Sequence, residues 1–101
     1  GEIRERVLCA HEIQKERYAG TEIQFNSELK PENIPEYCPL GREENRMMET
    51  AFEKLKLSAR AYHRMIRVSR TIADLAGSRD VKCEHIGEAI CYRTAEQKFW
   101  N

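Results

Sequence analysis

The stretch Leu57-Ser58-Ala59-Arg60-Ala61-Tyr62-His63-Arg64-Met65-Ile66-Arg67-Val68-Ser69-Arg70-Thr71-Ile72-Ala73-Asp74-Leu75-Ala76-Gly77 decides the fold. Tyr62, Met65, Ile66, Ser69, Ile72, Ala73 and Ala76 recur at i, i+3, i+4, i+7, the spacing that lines up side chains along one side of an α-helix. Ser58 is a natural N-cap, because its hydroxyl can accept from a first-turn N–H that has no partner within the helix. Gly77 suits the left-handed residue that ends many helices. The spacing therefore predicts a helix over 58–76 with one buried face.

Working outward, Met47, Met48, Ala51, Phe52 and Leu55 predict a helix over about 43–55, with Glu43 and Glu44 favouring its positive end. Downstream, Ile86, Ala89, Ile90 and Cys91 predict an inward face on a helix over about 83–97, with Val81 packing on its start. At the front, Ile3, Val7, Ala10 and Gln14, flanked by Leu8 and Tyr18, form a weaker stripe on a helix over about 3–19 that Gly20 stops. All three prolines, Pro31, Pro35 and Pro39, fall between Gly20 and Gly41, so residues 21–41 cannot be one regular helix. Ile23, Phe25, Leu29, Ile34, Tyr37 and Leu40 make this stretch too apolar for a free linker, so it is expected to lie on the helices and feed the core. The fold class read from this pattern is all-α: a small bundle of about four helices with one long ordered loop. Residues 1–101 form a single domain, with Phe99-Trp100-Asn101 as a docked aromatic tail or the stub of a longer chain.

Charge excludes several functions. The chain has 17 basic and 17 acidic groups and no net charge, unlike a generic polyanion binder. The balance hides an asymmetry: residues 1–57 carry 9 basic and 12 acidic groups, residues 58–101 carry 8 and 5. No stretch is apolar enough to span a membrane, and the charged start Gly1-Glu2-Ile3-Arg4-Glu5-Arg6 lacks a signal peptide's apolar segment, so a cytoplasmic location with reduced cysteines is expected. Cys9-Ala10-His11 and Cys83-Glu84-His85 repeat a Cys-x-His pattern, but i and i+2 on a helix point apart, so no metal is expected. The chain has no nucleophile elbow, metalloprotease helix or Walker A segment, and its five glycines are scattered singly. It is therefore not expected to be an enzyme by itself.

The basic residues of the central helix are the candidate site. Arg60, Arg64 and Arg67 follow i, i+4, i+7 opposite the apolar stripe, with no acidic residue between Ser58 and Thr71. Arg70 has Asp74 four residues on and can pair with it. Unpaired guanidinium groups suit a phosphate or carboxylate supplied from elsewhere. A solvated helix face is the plain alternative.

The quoted segment, with Glu84-His85-Ile86, Glu88-Ala89-Ile90 and Tyr92-Arg93, resembles the C-terminal domain of the magnesium-chelatase-related AAA+ ATPases, the ComM/YifB-like family. Arg4-Glu5-Arg6-Val7, Gln14, Arg17-Tyr18, Asn26 and Cys38-Pro39-Leu40 fit the same pattern, so the resemblance spans nearly the whole chain. It implies a C-terminal fragment of a larger AAA+ protein, in which a Lon-protease-like domain and an ATPase core with Walker A and B precede a small helical lid. Arg60 then matches the sensor-2 arginine that reaches the ATP γ-phosphate, with Mg2+ held by the AAA+ core of the same chain. Arg64 and Arg67 continue as an interface or secondary basic face, towards neighbouring subunits of a hexameric ring. The parent would act on DNA, as in branch migration during competence. Where the family has an Ala and Thr-Pro-like residues, this chain has Ser69 and Lys82-Cys83, which leaves the cap of the last helix unassigned. The rival readings are a stand-alone helical DNA-binding module and a protein-interaction module.

Overall fold

Ser58 sets where the longest helix begins. Its Oγ accepts from the Ala61 N–H at 3.1 Å, and the helix that follows, α4, runs Ala59–Leu75. At its far end Gly77, at φ +71°, donates to the Asp74 carbonyl while the Ser78 N–H reaches the Ala73 carbonyl, the paired bonds of a Schellman stop. The computed structural model describes residues 2–95. Among these the other helices are α1 (Glu2–Arg17), α2 (Ile34–Tyr37), α3 (Arg42–Lys54) and α5 (Cys83–Ala95), and there is no strand. The all-α expectation holds. Residues 96 and 97 of the expected last helix, and the tail Phe99-Trp100-Asn101, lie outside the described residues.

α4 is the central element, packed against α5, α1 and the loop. Its Ala61, Met65, Ile66, Ser69 and Ala73 are buried, and Ser69 satisfies its hydroxyl by donating to the Met65 carbonyl at 2.8 Å. The long loop is built from 3₁₀ turns at Asn26–Glu28 and Pro31–Asn33 followed by the single-turn α2. It packs as expected, contributing buried Leu29, Ile34 and Cys38 and partly buried Ile23, Tyr37 and Leu40. Phe25 is the exception and stays exposed beside the His11 ring.

α5 runs alongside α3 in the same direction. Cys83 Sγ donates to Glu44 Oε2 at 3.2 Å, a side chain on Gly87 would meet Met47, and Ile90 shares a groove with Met47, Ala51 and Leu55. The cap of α5 comes from its third residue: buried His85 accepts the Lys82 N–H on Nδ1 at 2.9 Å. This is the backward-reaching half of a capping box, with imidazole in place of Glu or Gln.

Three expectations about faces are corrected. Ile3, Val7 and Leu8 of α1 are exposed, Ile3 to 79%, because only the end of that helix reaches the core, through Ala10, Gln14 and the following Tyr18. Ala76 is exposed because the helix is already turning into its stop. Cys91 is exposed because α5 turns Ile86 and Ala89 inward and continues that face to Arg93 instead. Removing the α4 cap tests the local account: Ser58→Ala should lower stability by about 1 kcal/mol in chemical denaturation, and an unchanged midpoint would show that the bond contributes nothing.

Candidate functional site

The four arginines of α4 have different surroundings. Arg60 sits in the first turn, two residues past the cap, and is exposed. Among the described residues its guanidinium has no hydrogen bond or ion pair. The unpaired N–H groups of that turn give it a positive helix end as neighbour. Arg64 is half-buried. Arg67 is half-buried too and donates from Nη1 to the Leu29 carbonyl at 3.2 Å, so the loop holds it. Burial, and then the charges of Arg64 and Arg60, hold the Arg67 guanidinium below its usual pKa. The three thus lie within electrostatic reach of one another, but only the first turn projects freely.

Arg70 is buried and belongs to a polar cluster that spacing alone did not reveal. Asp74 is the hub, its side chain sealed from solvent. Arg17 clasps it with two donors, Nη2 to Oδ1 at 2.7 Å and Nη1 to Oδ2 at 2.8 Å. Arg70 Nη2 reaches Oδ1 at 3.0 Å, the expected i, i+4 pair, and Asn26 Nδ2 donates to Oδ2 at 2.8 Å. Gln14 accepts the Asn26 N–H at 3.0 Å, and Arg70 also donates to the carbonyls of Ser78 and Arg79 just past the helix stop. One carboxylate therefore joins α1, the loop, α4 and the turn before α5. Sequence reasoning placed Gln14 on the inner stripe of α1 but missed Arg17 and Asn26. The available signal was Asp74 itself, an acid beside Ala73 on the buried side of an amphipathic helix.

Burial alone would raise the Asp74 pKa, but hydrogen bonds from Arg17 and Asn26 and the Arg70 charge outweigh it and hold the carboxyl below the usual range. A depressed native pKa gives stability that is complete above the unfolded value, roughly pH 4, and is lost as pH falls through the native value. Acid unfolding of the chain should show that limb, and Asp74→Asn should flatten it. An identical acid profile in the variant would mean that other carboxylates set it.

Burial also pushes the neighbouring groups. The Tyr18 hydroxyl rises to about 12 and the Cys38 thiol to about 11, so both stay neutral and inert at physiological pH. The two Cys-x-His pairs do not form a shared ligand set among the described residues: Cys9 and His11 are exposed, Cys83 bonds Glu44, and His85 caps α5. The ligand atoms that do gather, within 4.8 Å, are those of Glu43, Glu44 and Cys83, at the partly exposed start of α3 and α5. No helix is long and apolar enough to cross a membrane.

A family model described as magnesium chelatase, subunit ChlI C-terminal, matches residues 1–93. Competence protein ComM of Haemophilus influenzae is 45% identical over 92 residues, which cover 91% of this chain and 17% of that protein. The uncharacterized proteins YifB of Salmonella typhimurium and Escherichia coli are 34% and 33% identical over 95 residues, covering 94% of this chain and 18% of each. The chain therefore spans under one fifth of the length of these curated relatives.

Proposed function

The chain belongs to the magnesium chelatase subunit ChlI C-terminal family, and from that premise we propose that it is the helical lid of a magnesium-chelatase-like AAA+ ATPase, with Arg60 meeting the γ-phosphate of ATP. The observation that carries the role of Arg60 is its position: exposed, in the capped first turn of α4, and without a hydrogen bond or ion pair among the described residues. A guanidinium so placed can offer two N–H donors to phosphate oxygens and offset charge as it develops there. ATP and Mg2+ would be held by an AAA+ core supplied by the rest of the parent chain, so the lid by itself binds ATP weakly and does not hydrolyse it.

Arg64 and the loop-held Arg67 extend positive charge along α4 towards the core or a neighbouring subunit of a hexameric ring. The parent acts on DNA in the cytoplasm, a reading supported by the competence role in the name of the 45% identical relative. A stand-alone DNA-binding helix has less to rest on, because Arg67 and Arg70 are turned inward, which leaves Arg60 in the first turn as the exposed arginine of α4. The loop that could have served an interaction module packs on its own helices. The test of the leading reading is ATP turnover by the full-length protein carrying Arg60→Ala, with the melting temperature of the 101-residue chain as the control for folding.

A further inference from the structure

From Arg46 onwards α3 sorts its charges between two faces. Arg46 and Lys54 line the groove towards α5, with Met47 and Ile90. Glu49 and Glu53 line a separate cleft of about 390 Å³ on the α4 side, with Phe52, Ala59, Tyr62 and His63. The two glutamates are exposed and four residues apart on one helix, so their carboxylates repel each other. Among the described residues neither has a hydrogen bond or an ion pair. Two acids are thus gathered at one cleft while the basic residues of the same turns face another.

The rest of that cleft is aromatic. Phe52 meets Tyr62 edge-on with ring centroids 5.4 Å apart, and Tyr62 meets His63 in the same way at 5.5 Å. Phe52 is 42% exposed, so part of its ring is open to a ligand. An aromatic ring attracts a cation, and arginine combines that contact with forked donation to a carboxylate. Tyr62 and His63 also line a second cleft, of about 410 Å³, whose wall is largely apolar through Pro31, Pro35, Leu40 and Ile66. The two clefts therefore adjoin, one acidic and aromatic, the other apolar.

We propose that the α3–α4 cleft docks an arginine side chain of a partner protein, held between Glu49 and Glu53 against Phe52 and Tyr62, with an apolar residue of the same segment in the second cleft. In an extended segment residues i and i+2 project to the same side, so one short stretch of the partner fills both. The site does not depend on the phosphate reading of Arg60: two carboxylates repel a phosphate, and the ligand here is a cation.

The probe is a capped leucyl-glycyl-arginine peptide added to the 101-residue chain, with the ring resonances of Phe52 and Tyr62 followed by NMR. The expected result is a saturable shift of both at millimolar peptide. Citrulline in place of the peptide's arginine keeps the shape and removes the charge, and should weaken binding about tenfold or more. The double variant Glu49→Gln, Glu53→Gln should weaken binding of the arginine peptide to a similar degree, with the melting temperature nearly unchanged because both positions are exposed. The citrulline comparison needs no variant and so stands even if the double variant does not fold. No shift at Phe52 and Tyr62 overturns the proposal. Equal affinity for the citrulline peptide overturns it as well, since the cleft would then take an apolar segment without reading its charge. A loss with citrulline but none in the folded double variant also overturns it, because the cation would be held elsewhere.

Discussion

Asp74→Ala should lower the stability of the chain by about 3–5 kcal/mol, the usual cost of leaving a buried charge without its partner. The carboxylate has no exposed side-chain surface, and its loss strands Arg70 at 4% exposure and Arg17 at 16%. Asn26 loses an acceptor as well, so the loop's tie to α4 falls back on the Asn26–Thr71 and Arg67–Leu29 bonds. Domains of this size are stable by roughly 5–15 kcal/mol, so the variant forfeits a large part of the total. The melting temperature should fall by at least ~12 °C. Arg17→Ala should cost less, because Arg70 and Asn26 still hold the carboxylate. Equal losses in the two variants would show that the α1 clasp is the whole effect and that Arg70 contributes nothing.

On the phosphate reading, Arg60→Ala in the full-length protein should reduce ATP turnover about 10²–10³-fold, the scale of removing one aimed donor from a developing charge. Arg60 is exposed, so the substitution should leave the melting temperature of the 101-residue chain nearly unchanged. Arg60→Lys should recover only part of the rate, since an ammonium lacks the planar fork. Turnover equal to wild type in the alanine variant would remove Arg60 from the site.

What was legible in the sequence divides by interaction type. α4 was readable nearly to the residue, because an apolar stripe, a serine cap and a glycine stop agree on the same limits. The loop's packing followed from its apolar content between prolines, and Leu29, Ile34 and Cys38 are buried as that requires. α1 was misread in part. Its inner face is chosen by Gln14, Arg17 and Tyr18, through hydrogen bonds to Asn26 and Asp74, which hydrophobic periodicity does not register. Its apolar residues Ile3, Val7 and Leu8 lie too early in the helix to reach the core. Arg60 could be placed from the cap alone, but the inward turns of Arg67 and Arg93 depended on how the loop and α3 settle against α4 and α5, which helical spacing does not encode.

The clasp between Arg17 and Asp74 joins residues 57 apart in the chain. Closing so wide a loop is an entropic cost that must be met before the contact repays it, whereas α3, α4 and α5 are consecutive and meet through short connections. The order of assembly follows: the three C-terminal helices gather first, and α1 with its loop docks onto a surface already made. In stopped-flow kinetics Asp74→Ala should therefore act mainly by speeding unfolding, with little change in the folding rate. An equal slowing of folding would place the clasp in the nucleus.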